Sequence, residues 1–267
     1  MEVPALDTIV NLTGASNALQ QTSHRAVLPP VGVTVKVSAK RAKAEPPLVP
    51  AYLSDIYDWA YLNPRNVRLL DRELVVATIL WGNHNRLRQS AFEEIRPGQK
   101  VLQSSCVYGD FSPALARHVG PQGRLQVLDV APIQVEGCRR KLRDFPQASV
   151  RLADAAEPSG EFYEAVCCYF LLHEVPTDYK RKVVDALLGS VVPGGKVVFV
   201  DYHKPHFAHP LKPITSLVFD TLEPFAKGLW RNEIADFASA PGEFVWRKQT
   251  YFGGLFQKVT ACRAAGG

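Results

Sequence analysis

From Pro50 onward, apolar residues fall into regular patterns. Val67, Leu70, Leu74, Ala77 and Trp81 recur at three- and four-residue spacing, which predicts an amphipathic helix over 66–81, opened by Asn63 and Pro64. Further on, short apolar runs alternate with helical ones. KVLQSS reads as a first strand, and SPALARHV as a helix with Ser112 as N-cap and Pro113 at the first helical position. RLQVLDV is a second strand, and Pro132 opens a helix through Val135, Cys138 and Leu142. ASVRLAD and YEAVCCYF are the third and fourth strands. Thr177 caps a helix carrying Val184, Leu187, Leu188 and Val191 on one face, and PGGKVVFVDY turns into a fifth strand. EFVWRKQTYF and LFQKVTAC read as two closing strands, preceded by an apolar, aromatic helical stretch over 207–237.

Strands alternating with helices imply right-handed βαβ units. The expected fold is therefore α/β: a seven-stranded, mostly parallel sheet with helices on both faces. Residues 50–92 are expected as a helical lid and 206–238 as a helical cap insertion. Residues 1–48, mixed in composition and ending in a basic run, read as a mobile extension without a signal-peptide block.

Composition narrows the class. An apolar fraction of 46% and a charged fraction of 21% are ordinary for a globular chain, and no apolar run is long enough for a bilayer span. The five Cys lack metal-type pairing and fit reduced thiols in a cytosol-like compartment. A net charge of +5 is compatible with an anionic ligand or membrane surface, and no basic stripe points to nucleic acid.

In an open parallel sheet, ligands bind beyond the carboxyl ends of the strands. There the sequence puts the loop QSSCVYGDFS after the first strand, Asp129 at the end of the second, and Asp154 at the end of the third. An acid at the second position can accept both ribose hydroxyls, and one at the third can accept an adenine amino group. This order, with the PGG turn, resembles the S-adenosylmethionine (SAM)-dependent methyltransferases. The first loop departs from their acidic residue and GxGxG pattern. Gln103 stands in the acidic position, Ser105 and Val107 replace the first two glycines, and Gly109 remains.

That loop, VLQSSCVYGDFSP, taken with DVAPIQ, FLLHE, VDYHKP, TLEPFA and YFGGLFQKV, resembles the rhodoquinone-biosynthesis enzymes over roughly Pro50 to Val259. The resemblance implies replacement of a ubiquinone methoxy group by an amino group, with SAM as amino donor and manganese taking part. It implies an apolar quinone partner and peripheral contact with the inner membrane from the cytoplasmic or matrix side. Candidate SAM contacts are Gln103, Ser105, Val107, Gly109, Asp129, Val130, Asp154, Ala155 and Phe170. Asp110, as base or amine orienter, Tyr108 and Tyr57 are the candidates for the chemistry. His173, Glu174, Asp201 and His203, expected at the tips of strands four and five, are the candidate manganese ligands. A C- or O-methyltransferase acting on a quinol, and a non-catalytic scaffold with the same fold, are the competing expectations.

Overall fold

The computed structural model describes Pro50, Leu53, Tyr57 and residues 63–265; the expected extension over 1–48 and most of the 50–62 segment lie outside them. Among the described residues three helices come first: α1 (Pro64–Leu70), α2 (Glu73–Ile79) and α3 (His84–Phe92). They lead into β1 (Lys100–Gln103), α4 (Phe111–Val119), β2 (Arg124–Asp129), α5 (Pro132–Lys141), β3 (Ala148–Leu152) and β4 (Tyr163–Tyr169). Next come α6 (Thr177–Gly189), β5 (Val191–Tyr202), α7 (Lys212–Thr221), α8 (Gly228–Arg231), β6 (Phe244–Tyr251) and β7 (Phe256–Arg263). The seven strands form one sheet in the order β3-β2-β1-β4-β5-β7-β6. The first five run parallel, and β7 lies antiparallel between β5 and β6.

Alternation along the central strands builds two cores. Val101, Val127 and Cys167 pack to one face, while their neighbours Leu102, Leu128 and Cys168 pack to the other. Helices cover both faces, so these side chains are fully buried, each worth about 1.5–3 kcal/mol for an aliphatic of this size. All five cysteines are free thiols.

Three local expectations change. The helix expected over 66–81 breaks at Asp71 and Arg72, because Arg72 is extended (φ −79°, ψ 133°) and Asp71 is drawn to the loop after β1. Ser112 lies inside α4 rather than capping it, and its Oγ accepts from Gln103 Nε2 at 2.8 Å. Thr177 is the first residue of α6, with Pro176 at the cap, and Val191 already belongs to β5. Asn63 does cap α1, accepting from the Arg65 amide at 3.0 Å.

The stretch 207–237 supplies α7, α8 and a 3₁₀ turn at Ile234–Phe237. Lys180 ties this insertion to α6. Its buried ammonium donates to the carbonyls of Val175 and Phe225, and desolvation pulls its pKa down to about 8.

Candidate active site

A cleft of about 200 Å3 opens at the carboxyl ends of β1, β2, β3 and β4. The N-terminal helical segment contributes Leu53, Leu70, Val76, Ile79 and Leu80; the strand-end loops contribute most of the polar groups; α5 and α6 add Gln134 and Tyr179; and Glu223 arrives from the insertion.

The loop after β1 curls around Asp129. The Asp129 carboxylate accepts from the Cys106 amide at 2.9 Å and the Ala131 amide at 2.8 Å, so one side chain fixes two loops. Burial pushes its carboxyl up to about 6, against those same amides, which favour the charged form. A ligand that donated hydroxyls to it would relieve that cost. Val130 and Ala131 continue the wall, and Gln134 donates to the Tyr108 hydroxyl at 2.9 Å, holding that ring at the cleft.

Asp154 sits at the third position, with Ala155 beside it. It accepts from the Ala156 amide at 2.8 Å and from the Tyr179 hydroxyl. Phe170, at the tip of β4, holds φ at +51°, a conformation uncommon outside glycine. Its ring lies edge-on to His173 and Tyr202.

At the far end stand His173 and Glu174, on a 3₁₀ turn at Leu172–Glu174. Asp201, at the end of β5, organises this turn. It accepts from the amides of Leu172 (2.8 Å), His173 (3.3 Å) and Tyr202 (2.7 Å) and meets His173 Nδ1 at 2.8 Å. Burial disfavours charge on His173, but Asp201 outweighs it, with Glu223 and Glu174 adding, and the imidazole is pushed up to about 9. Glu223, whose carboxyl is raised by burial, accepts from the Tyr57 hydroxyl at 2.8 Å.

Ser105, Val107, Tyr108, Asp129, Val130, Asp154, Ala155, Phe170, His173 and Glu174 therefore share one cleft. Other candidates stand elsewhere. Gln103 is buried beneath the loop, its Nε2 donating to the Ser105 carbonyl at 2.7 Å as well as to Ser112. Gly109 lies behind the cleft wall, its φ of +75° making the turn that glycine permits. Tyr57 reaches the cleft through Glu223 rather than lining it. Asp110 stands at the N-cap of α4, the helix N-terminal position that is the other reading of this acid. It points out of the cleft, where Arg88 and Arg117 (3.6 Å) pair with it.

The expected manganese ligands do not fit an ion as a set. Among the described residues no three His, Cys, Asp or Glu side chains are grouped to hold one. Asp201 is committed to backbone amides and His173. His203 stands outside the cleft, its Nδ1 donating to the Gly254 carbonyl and its Nε2 facing the Lys248 ammonium, each at 2.9 Å. Burial first, then Lys248, holds the His203 pKa low, so the ring is neutral and engaged at both nitrogens.

Sequence reasoning passed over Gln134, Tyr179, Glu223, Asp71 and Lys141. Glu223 lay within the quoted TLEPFA segment, but nothing local marked it as facing the cleft.

The strand order, the reversed seventh strand and a cleft at the strands' carboxyl ends define the fold of the class I SAM-dependent methyltransferases. Residues 101–195 match the model of a methyltransferase domain. Over 136 residues the chain is 28% identical to the ubiquinone/menaquinone biosynthesis C-methyltransferase UbiE of Serratia proteamaculans, covering 48% of this chain and 52% of that one. It is also 28% identical over 135 residues to the demethylmenaquinone methyltransferase of a Geobacillus species, covering 48% and 57%. The chain thus spans about half the length of the curated relatives it matches. Among solved structures, the pyocyanin biosynthetic protein PhzM aligns with a TM-score of 0.61 at 13% identity, covering 79% of this chain and 62% of that one. An O-methyltransferase family protein of Burkholderia thailandensis aligns at 0.58 with 14% identity, covering 79% and 64%.

Proposed function

We propose that this chain is a SAM-using transferase acting on a quinone ring, and that its reaction replaces a methoxy group of ubiquinone by an amino group to give rhodoquinone. The carrying observation is the loop after β1, which keeps the ribose acid Asp129 but has no carboxylate at Gln103 and no glycine at Ser105 or Val107.

The physics of that loop supports amine chemistry. A carboxylate beside the amino-acid end of SAM would favour the ammonium form by opposite-charge pairing. With Gln103 neutral and committed to the loop, that pairing is absent, and a neutral amine is the nucleophile such a reaction needs. Asp129 would hold the ribose and Asp154, with Tyr179, the adenine edge; SAM would supply the nitrogen. Attack on the methoxy-bearing carbon places negative charge on a quinone oxygen. The His173 imidazolium, oriented by Asp201, is the cation the cleft offers to that oxygen. The methoxy group leaves as methanol. Loss of the SAM α-proton then passes two electrons from the α-carbon into the quinone ring. Water hydrolyses the resulting imine, breaking the bond between nitrogen and α-carbon to release the 2-oxo acid of SAM and the aminoquinone in its quinol form.

The relatives, a ubiquinone/menaquinone biosynthesis C-methyltransferase and a demethylmenaquinone methyltransferase, favour a second reading, in which the same cleft methylates a quinol carbon. Purified protein, SAM and short-tail ubiquinone, or the corresponding quinol, separate the two by mass spectrometry. Amination replaces methoxy by amine, whereas methylation adds a methyl group; a methylated product and no amine would overturn the first reading.

Ubiquinone is apolar, and the cleft's rim matches it. Leu74 (83% exposed) on α2 and Leu217 (65%) on α7 are exposed apolar side chains of the two helical segments that also supply Val76 and Glu223 to the cleft. No described helix is long and apolar enough to cross a membrane. We propose that this rim rests on the inner membrane from the cytoplasmic or matrix side. Co-flotation with anionic phospholipid vesicles is expected for the wild type and is expected to drop severalfold in Leu74→Ser/Leu217→Ser. Equal flotation of a folded double variant would contradict that contact.

A further inference from the structure

A GxGxG loop bends tightly because glycine tolerates positive φ and close approach. Here one glycine remains, and the loop is held from outside. Asp71 accepts from the Gly109 amide at 3.0 Å and from Lys141 Nζ. The same ammonium donates to the Gly109 carbonyl at 2.9 Å and reaches the Val107 carbonyl at 3.5 Å. Both backbone polar groups of the loop's glycine are therefore bound by one ion pair, and the three ammonium hydrogens have three acceptors. Neither Asp71 nor Lys141 lines the cleft. Asp71 sits at the break between α1 and α2, and Lys141 in the last turn of α5, where a cation is favoured.

We propose that Asp71 and Lys141 are positioning residues: a charged clasp that substitutes for the missing glycines and fixes the loop around the ligand. The clasp also joins the loop to the lid. Leu70 and Val76, on either side of Asp71, line the cleft, so the clasp ties the loop to the helical segment that forms this wall. The proposal rests on the reading that this loop holds SAM. It differs from that reading in predicting two distant residues that act as a single unit.

The test is a double-mutant cycle on the full chain, read by calorimetric binding of S-adenosylhomocysteine and by amide hydrogen exchange over residues 105–110. Asp71→Asn and Lys141→Met are each expected to weaken binding by about tenfold, the double variant no further, and Lys141→Arg to restore most of it. Exchange in the unliganded loop should rise in both single variants, with the thermal midpoint little changed. Unaltered binding in folded variants, or losses that multiply in the double variant, would overturn the clasp. If the wild type itself binds nothing, the SAM reading fails instead, and unchanged loop exchange in the variants would independently dismiss the clasp.

Discussion

Asp129→Ala is expected to weaken SAM binding by about a hundredfold or more. Two ribose hydroxyls donating to one carboxylate are charge-assisted bonds of about 1.5–3 kcal/mol each, and 2.7 kcal/mol corresponds to a hundredfold. The substitution also removes the acceptor shared by the Cys106 and Ala131 amides, so the loop loses its inner anchor. Asp129→Asn, which keeps the shape and one acceptor oxygen, should fall between alanine and wild type. The pH dependence has a definite sign. The Asp129 carboxyl is raised to about 6 from 3.8, so protonation favours the unliganded fold, and its contribution to stability declines as pH rises from about 4 to 6. A hydroxyl-donating ligand needs the ionised form, so affinity should fall as pH drops below about 6 and level off above it. Calorimetric titration across that range, with Asp129→Asn as the flat control, checks both statements.

Gln103→Glu is expected to damage the protein more than its isosteric shape implies. Gln103 is fully buried, and its amide donates to the Ser105 carbonyl and the Ser112 hydroxyl. A carboxylate cannot donate, so in the unliganded protein it would face the Ser105 carbonyl with no cation in contact. An unpaired buried charge of this kind costs about 3 kcal/mol or more unless it is protonated. For a chain of this size that lowers the thermal midpoint by roughly 6–12 °C. Combined with Val107→Gly, which loosens the loop toward the glycine pattern, amine formation should drop by at least tenfold. Calorimetric unfolding and product analysis measure the two effects separately. Wild-type turnover in a folded double variant would remove the neutral-loop explanation.

The architecture could be read from the chain because each strand carries its own apolar signature. Adjacent pairs such as Val101–Leu102 and Cys167–Cys168 divide between two cores, and the turn residues around them fix the alternation of strand and helix. Asp129 and Asp154 were legible for the same reason: a residue at a strand's carboxyl end has one place to be. Direction was not legible. Asp110 stands next to the loop glycine in sequence, yet Arg88 and Arg117 pull it away from the ligand side. His203 follows β5 closely, but the Gly254 carbonyl and Lys248 occupy its ring. The break in the helix expected over 66–81 depends on Gly109 and Lys141, partners far along the chain that no local periodicity encodes. Glu223 likewise meets Tyr57 only after the insertion folds back over the sheet. The proposed preference for amine over methyl rests on the loop after β1, where Gln103, Ser105 and Val107 depart from the glycine pattern.

The decisive measurement follows one atom. SAM carrying heavy nitrogen at its α-amine, incubated with the purified full chain and a short-tail ubiquinone, should yield an aminoquinone whose ring nitrogen bears the label. An aminoquinone without the label, or label retained wholly on the spent nucleoside while the ring gains a methyl, would contradict the account.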